Sequence, residues 1–216
     1  FLEAQDMFRL PGIFRTVAIY SVPKLHIRDL QVFPGYKNGN GTLDVKLNLK
    51  SVDKKRVNIS KYKVKYSLYE NELYSDKNKL VSNVETSVLK TKGKLQINQG
   101  EIVNLTDAGL KFENIKPWSA ETPNRYALVV ELLDNKGRVV ETVSTYTGFR
   151  SVEIRDTKAE DDEFGLAGRY YYINDMPVKL KGVNRHETNP STGKVVSHKQ
   201  MEEEVMLMKR ANINHV

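Results

Sequence analysis

Four consecutive side chains that can do chemistry, Asn184, Arg185, His186 and Glu187, directly follow an alternating apolar segment at residues 178–183. An amide, a guanidinium, an imidazole and a carboxylate can hydrogen-bond a polar ligand, contribute ligands to a metal ion, or lock the end of a strand. The residue types alone leave these three roles open. The elements that hold the four residues must therefore be predicted from the rest of the chain.

The composition is that of an ordinary globular protein. The chain has 216 residues, 39% hydrophobic and 28% charged, with a mean hydropathy of -0.52, enough for one large domain or two small ones. Cysteine is absent, which excludes disulfides, thiolate catalysis and zinc–cysteine sites. The net charge of +7 comes with lysines scattered along strand faces, so we predict no nucleic-acid partner.

The sequence carries no targeting signal that would fix a compartment. No apolar run approaches the roughly 18 residues of a membrane helix, so no membrane partner is predicted. The first residue is Phe1, without an initiator methionine, and we expect both ends to lie within a longer polypeptide. The compartment stays unknown, because a chain without cysteine suits a reducing cytoplasm as well as an oxidising space such as the periplasm.

An antiparallel sandwich of immunoglobulin type is predicted for residues 24–150. Leu43, Val45, Leu47 and Leu49 alternate with polar residues, which is the pattern of a strand with one buried face. Roughly seven such strands without intervening helices favour this fold. Further strands are predicted at residues 14–22, 25–33, 62–68, 84–89, 101–105, 126–133 and 139–147, with turns at residues 39–41, 78–79, 93 and 134–137.

The pattern changes after Arg150. An acidic stretch at residues 157–168 is interpreted as a loop, and Asn174 and Asp175 predict a tight hairpin turn. Ser197 and Gln200 form a capping signal for a helix whose predicted buried face comprises Met201, Val205, Met208 and Ala211. Together with strands at residues 178–183 and 212–216, this helix predicts a βαβ unit, which places residues 184–187 on the active-site rim of a (β/α) barrel.

Several motifs resemble glycoside hydrolase family 2, and within it the large bacterial β-galactosidases most closely. The motifs are LEAQDMFRLPGIFR (residues 2–15), KPWSAETPNRY (116–126), TGFRSVEI (147–154), KGVNRHETNP (181–190) and MLMKRANINHV (206–216). The resemblance implies a mainly β fragment with three parts: the C-terminal strand of a jelly-roll sugar-binding domain (1–23), the immunoglobulin-like sandwich (24–150) and the N-terminal part of a TIM-barrel catalytic domain (151–216).

The implied reaction is retaining hydrolysis of terminal β-D-galactosides such as lactose through a galactosyl-enzyme intermediate. Two glutamates perform it, and the resemblance places both on barrel strands beyond this chain. No catalytic residue is therefore expected here, and the chain alone is predicted to be inactive. Glu187 belongs to a different motif and is interpreted as a support.

The resemblance implies substrate contacts for two residues. His186 is expected to bind the galactosyl ring, and Asp6 to bind galactose hydroxyls and, in some members, sodium. Asn184, Arg185 and Glu187 are expected to support the site. Two alternatives stay open: His186 as a purely structural donor, and Asp6 as a cap or a partner of Arg9 or Arg15.

Other functions remain compatible with the sequence. The same architecture serves β-glucuronidases and β-mannosidases, and the chain could be a non-catalytic carbohydrate-binding or interaction module. The chain itself implies no cofactor, whereas the resemblance implies magnesium and sodium in the whole protein. A β-galactoside substrate and a homo-oligomeric assembly are the expected partners.

Overall fold

The computed structural model describes residues 3–4, 7–8, 11–71, 78–87, 96–162 and 165–216. The chain forms two compact units, Ser21–Val178 and a second unit that combines Phe1–Tyr20 with Lys179–Val216. The strands are β1 Glu3–Ala4, β2 Met7–Phe8, β3 Leu25–Lys37, β4 Asn40–Ser51, β5 Val57–Asn58, β6 Lys63–Asn71, β7 Asn78–Ser87, β8 Gln96–Ile97, β9 Ile102–Phe112, β10 Arg125–Leu133, β11 Val139–Thr147, β12 Val152–Thr157, β13 Gly168–Ile173 and β14 Met176–Val178. Helix α1 spans His198–Arg210.

The larger unit contains the predicted antiparallel sandwich, which is thereby confirmed. One sheet has the strand order β3-β4-β9 and the other β11-β10-β6-β7. The alternating residues of β4 and β10 form much of the core between the sheets, because each points one apolar row inward. Their fully buried members are Leu43, Val45, Leu47, Leu49, Leu128, Val130 and Leu132.

One predicted element of this region is wrong, and another is longer than predicted. Asn78 and Lys79 were predicted as a turn, but they begin β7, where Asn78 pairs with Asn71 of β6. The strand predicted at residues 101–105 continues to Phe112, because a bulge opposite Asp44 lets Gly109 adopt a φ of 69° within the strand. The predicted turn at Gly93 lies outside the described residues.

A small sheet, β12-β13-β14, follows the sandwich within the same unit. Asn174 and Asp175 connect β13 to β14 with φ values of 50° and 65°, as a two-residue turn of type I′ requires. The predicted hairpin is therefore confirmed. The three-part domain division proposed above remains a prediction, and the contacts group this sheet with the sandwich.

The smaller unit contains α1, whose predicted cap is confirmed: Ser197 Oγ accepts a hydrogen bond from the Gln200 backbone N–H at 3.2 Å. The helix ends at Arg210, and Asn212, with a φ of 59°, reverses the chain just beyond it. His215 then forms a parallel bridge to Gly182. The helix therefore lies between two segments joined in parallel, as the predicted βαβ unit requires, but their pairing is this one isolated bridge and neither segment is a strand.

Two predicted strands are absent from the described structure. Residues 11–24 form no strand, and Val17 and Ile19 are strongly exposed, since apolar alternation gives a strand only where a neighbour completes the hydrogen bonds. Of the predicted strand at residues 178–183, Val178 belongs to β14 and Gly182 makes the isolated bridge. The extended segment lies earlier in the chain than predicted, at Met176–Val178, because these residues pair with β13 in the hairpin.

Candidate functional site

The segment that precedes residues 184–187 (the NRHE residues) is fixed by one amide side chain, that of Asn214. Asn214 Oδ1 accepts a hydrogen bond from the Lys181 N–H at 2.8 Å, and Asn214 Nδ2 donates to the Lys179 carbonyl at 3.0 Å. Backbone bonds from Asn214 N–H to Lys181 O (3.1 Å) and from Val183 N–H to His215 O (3.2 Å) continue the contact. Residues 179–183 are thus held against residues 214–215 before the polar residues begin.

Arg185 is tied to helix α1. Its Nε donates to Glu204 Oε2 at 2.6 Å, and the pair is only partly exposed, with side-chain exposures of 20% for Arg185 and 36% for Glu204. This contact changes the predicted helix face. Gln200, Met201, Glu204 and Met208 are the half-buried residues of the helix, whereas Val205 is 54% exposed and Ala211 is also exposed.

Glu187 is engaged by the N-terminal segment of the same unit. Its carboxylate forms an ion pair with Arg15, whose guanidinium also donates to the Lys194 carbonyl at 3.1 Å. Arg15 and Lys194 both approach the ring of Phe14, at 5.1 and 5.9 Å from its centroid. Arg15 had been weighed as a partner of Asp6, but in the described structure its carboxylate partner is Glu187.

His186 lies between these two anchored residues and is exposed, as is Asn184. Within the described residues neither side chain makes a hydrogen bond, while the His186 carbonyl accepts one from the Thr188 N–H at 2.9 Å. The chain then closes a tight loop, because Asn189 Oδ1 accepts from the N–H groups of Ser191 and Thr192. His186 is therefore accessible to a ligand and bracketed by two ion pairs.

Asp6 lies outside the described residues, so its predicted contacts with galactose and sodium remain predictions. Within the described part of the chain no three His, Asp or Glu side chains cluster in a way that could hold a metal ion. Glu187, the carboxylate next to His186, is already paired with Arg15. The described carboxylates therefore do not form a set of oxygen ligands for the magnesium expected in the whole protein.

A general acid of a glycosidase needs a raised carboxyl pKa, whereas the carboxyl pKa values that are shifted among the described residues are lowered. The pKa of Asp53 is lowered mainly by a hydrogen bond from the Lys55 backbone N–H, and that of Asp134 mainly by a hydrogen bond from the Arg138 side chain. Both carboxyls lie in the sandwich unit, and a lowered pKa does not suit a general acid.

The motifs at residues 116–126 and 147–154 meet at the end of the sandwich. The Trp118 N–H donates to the Phe149 carbonyl at 2.8 Å, and Asn174 Nδ2 donates to the Trp118 carbonyl at 2.9 Å. Asn174 Oδ1 in turn accepts from the Ser151 N–H at 3.0 Å. These bonds join the sandwich to the β12-β13-β14 sheet, which gives both motifs a structural role.

Sequence reasoning missed two partners of the NRHE residues, Arg15 and Glu204, and the residue that holds the preceding segment, Asn214. Arg15 and Asn214 lie inside the recognised motifs at residues 2–15 and 206–216, which is the signal that could have pointed to them. Glu204 was not among the residues predicted for the buried face of the helix. Its position three residues after Met201 is the spacing of one helix face, and that spacing is the available signal.

Comparisons with known proteins agree with this architecture. The family model for glycosyl hydrolases family 2 matches residues 25–150, and the model for the TIM barrel domain of the same family matches residues 165–216. The β-galactosidases of Streptococcus thermophilus (34% identical over 215 residues) and Yersinia enterocolitica (30% over 222) match 100% of this chain. These alignments cover 18% and 19% of the two relatives.

Solved structures of β-glucuronidases share the fold. The enzyme from Bacteroides uniformis superposes with a TM-score of 0.65 at 18% identity, over 87% of this chain and 20% of that one. The enzyme from Parabacteroides merdae gives 0.63 at 20% identity, over 89% and 20%. At these identities the likeness concerns the fold alone.

A β-sandwich that leads into the first βαβ connection of a barrel defines a class of modular proteins with a sandwich ahead of a TIM barrel. The comparisons identify the family within that class. This chain belongs to family 2 of the glycosyl hydrolases, and it spans about a fifth of the length of the curated relatives that it matches. Within the described residues no helix is both long and apolar enough to span a membrane.

Proposed function

We propose that this chain is part of a retaining β-galactosidase that hydrolyses terminal β-D-galactosides through a galactosyl-enzyme intermediate. The observation that supports the proposal is identity of 30–34% to curated β-galactosidases along the whole chain, including the NRHE segment. The sandwich serves as a spacer between a sugar-binding domain and the catalytic barrel. Its core is complete without any residue of the NRHE site, as a scaffold role requires.

The proposed chemistry needs two carboxyl groups about 5–5.5 Å apart across the scissile bond. One protonates the leaving oxygen, and the other forms the glycosyl ester that water then hydrolyses. Glu187 takes neither part, because its carboxylate is paired with Arg15. The acid and the nucleophile are proposed to lie in barrel strands that follow this stretch in the whole enzyme.

His186 is the proposed substrate contact. Its exposed imidazole can donate a hydrogen bond to a galactosyl hydroxyl, and such a bond strengthens catalysis when it is tighter in the transition state. Arg185 and Glu187 support it through Glu204 and Arg15. The exposed amide of Asn184 offers a second polar group beside the imidazole.

Further proposals concern the whole protein and rest on the resemblance alone. Asp6 is proposed to contact galactose and a sodium ion, and magnesium is proposed as a cofactor. Carboxylate oxygens suit both hard cations. A homo-oligomeric state is also proposed.

Assays of the whole enzyme on the nitrophenyl β-galactoside, β-glucuronide and β-mannoside test the substrate class. We expect turnover of the galactoside. Turnover restricted to the glucuronide or the mannoside would replace the proposal with the corresponding activity.

His186→Asn in the whole enzyme tests the proposed contact. Loss of a transition-state hydrogen bond should lower kcat/KM on the galactoside by about 10²-fold. His198→Asn is the matched control, because His198 is an exposed histidine in the first turn of α1. Equal effects of the two substitutions would remove His186 from the substrate site.

Residues 1–216 alone are expected to show no hydrolysis. Turnover that disappears in Glu187→Gln would contradict the absence of a catalytic glutamate in this stretch. The non-catalytic alternative is tested by an NMR titration of the same chain with galactose. Shifts confined to sandwich strands would favour a sugar-binding sandwich over a spacer.

A further inference from the structure

Three guanidinium groups of the larger unit lie over aromatic rings, an arrangement that stabilises a cation through the ring quadrupole. The distances from Cζ to the ring centroid are 4.7 Å for Arg155 on Tyr172, 4.3 Å for Arg150 on Trp118 and 4.9 Å for Arg125 on Tyr146. The three pairs differ in which groups accept hydrogen bonds from the edge of the guanidinium.

Arg155 shows the complete arrangement. Its Nε donates to Glu153 at 2.7 Å, and its terminal nitrogen forms an ion pair with Asp175. The ring covers the face of this guanidinium while two carboxylates accept hydrogen bonds from its edge. This combination uses both the weakly hydrated face and the forked donors of arginine.

Arg125 and Arg150 have the ring but not the carboxylate. Neither forms an ion pair with any residue that the structure describes, and the buried Nε of Arg125 has no hydrogen-bond partner there. A buried donor of a charged group that lacks an acceptor costs free energy, which a ligand can recover by accepting the bond.

Both arginines line one cavity of about 260 Å³. Its remaining walls are Pro34, Trp118, Tyr146, Thr147 and Gly148. The wall thus carries two cationic side chains and no acidic one. A cavity of this kind attracts an anion, and its volume admits a ligand of the size of an acidic side chain or a monosaccharide.

The ring positions make a neutral sugar a poor occupant. Sugars bind proteins by stacking on open aromatic faces, but Arg150 and Arg125 already lie over Trp118 and Tyr146. What remains available is the set of N–H donors, whose forked geometry matches a carboxylate.

We propose that the cleft formed by Arg125, Arg150, Trp118 and Tyr146 binds a carboxylate group, which takes the place that Glu153 and Asp175 occupy at Arg155. The carboxylate can belong to an acidic sugar or to an acidic side chain of a polypeptide. This site lies within the sandwich unit and is independent of the proposed hydrolysis.

The test is an NMR titration of the 216-residue chain at low salt, observing the Arg Nε–H groups and the Trp118 indole N–H. Galacturonate is compared with galactose, and a blocked Gly-Glu-Gly peptide with its Gly-Gln-Gly counterpart. We expect saturable shifts at Arg125 and Trp118 with a carboxylate and none with its neutral match. Added salt should weaken the binding.

Binding by galacturonate assigns an acidic sugar as the source, and binding by the glutamate peptide alone assigns a polypeptide side chain. Arg125→Met and Arg150→Met should each weaken binding by about tenfold, since each removes a charge-assisted hydrogen bond. Arg155→Met is the matched control and should leave it unchanged. Circular dichroism checks that the variants fold.

Three results would overturn the proposal: no shift with either carboxylate, equal shifts with the neutral partners, or undiminished binding by both cleft variants. Arg150 is exposed, so its substitution tests the site even if Arg125→Met fails to fold.

Discussion

Gly148 illustrates how one residue without a side chain can fix a junction. A Cβ at this position would lie 2.9–3.0 Å from three atoms of Trp118, closer than real side-chain contacts allow. Trp118 cannot easily retreat, since its backbone N–H donates to the Phe149 carbonyl and Arg150 lies over its ring. The glycine is required here by close approach.

Gly148→Ala should therefore lower the free energy of unfolding of the sandwich by about 1–3 kcal/mol, the usual cost of overpacking. Urea denaturation followed by tryptophan fluorescence measures it. In a Trp118→Leu background, where the ring is absent and far-UV circular dichroism serves as the probe, the same substitution should cost less. An equal cost in both backgrounds would show that the ring is not the obstacle.

Asp134 makes stability depend on pH. Its carboxylate accepts bonds from the Arg138 side chain (2.8 Å) and from the N–H groups of Lys136 (2.8 Å) and Arg138 (3.0 Å), and the Arg138 side chain is the main cause of its lowered pKa. A carboxyl pKa that is lower in the folded state stabilises the fold above the unfolded pKa. This contribution is lost as the pH falls through the folded value.

Asp134→Asn should thus reduce stability at pH 7, and its difference from the parent should shrink as the pH falls below about 4. Urea denaturation at a series of pH values measures both effects. Glu121→Gln serves as the control, because Glu121 is exposed and makes no hydrogen bond within the described residues. A pH-independent difference for Asp134→Asn would contradict the linkage.

At the scale of elements, Asn214 replaces the strand ladder that the start of a barrel would otherwise need. Its amide spans the donor of Lys181 and the acceptor of Lys179, while the only parallel pairing within the described residues is the isolated bridge between Gly182 and His215. The side chain therefore supplies as many hydrogen bonds to this junction as a short ladder would.

Asn214→Leu keeps the approximate size of the side chain and removes both bonds. We expect faster hydrogen exchange at the Lys181 amide and a loss of about 0.5–1.5 kcal/mol per bond in the smaller unit. Asn212→Gly is the control, since glycine suits the φ of 59° at that position. Unchanged hydrogen exchange at the Lys181 amide in Asn214→Leu would show that water replaces the two Asn214 hydrogen bonds without cost.

The sequence predicted elements well where the pattern and the packing coincide. Strands β4 and β10 alternate clearly and are buried on one face, so their local pattern reports their environment. Residues 14–22 also alternate, yet residues 14–21 stay exposed, because periodicity records what a strand could bury and not whether a partner strand is adjacent.

The NRHE residues were identified from the sequence, but their anchors were not. Arg15 is 172 residues from Glu187, and Glu204 is 19 residues from Arg185. Pairings at such separations depend on how units fold together, which local spacing does not encode. The same limit explains the helix face. Glu204, which pairs with Arg185, is half-buried, whereas Val205, which was predicted to be buried, is exposed.

At the scale of the whole molecule, burial is unequally divided. The hydrophobic core cluster runs from Leu25 to Phe149, whereas the smaller unit has one buried apolar residue among those described, Val196, which is still 9% exposed. Since apolar burial drives folding, the sandwich should be the more stable of the two units.

Residues 21–178 alone should therefore fold with a urea midpoint equal to that of the sandwich transition in the 216-residue chain. Circular dichroism and tryptophan fluorescence measure both, because Trp118 lies in this unit. A clearly lower midpoint for the shorter chain would show that residues 179–216 stabilise the sandwich. Limited proteolysis of the full chain should cut first within residues 11–20, whose side chains are exposed.

The confinement of the core to one stretch also has a consequence during synthesis. All of its buried members precede the NRHE residues in the chain, so the sandwich can complete its fold on the ribosome before the first barrel strand leaves the exit tunnel. Domains emerge and fold as units from the N-terminal side. The barrel strands would then begin their slow parallel pairing after the sandwich has finished folding. This order shortens the time that unpaired strands are exposed to aggregation.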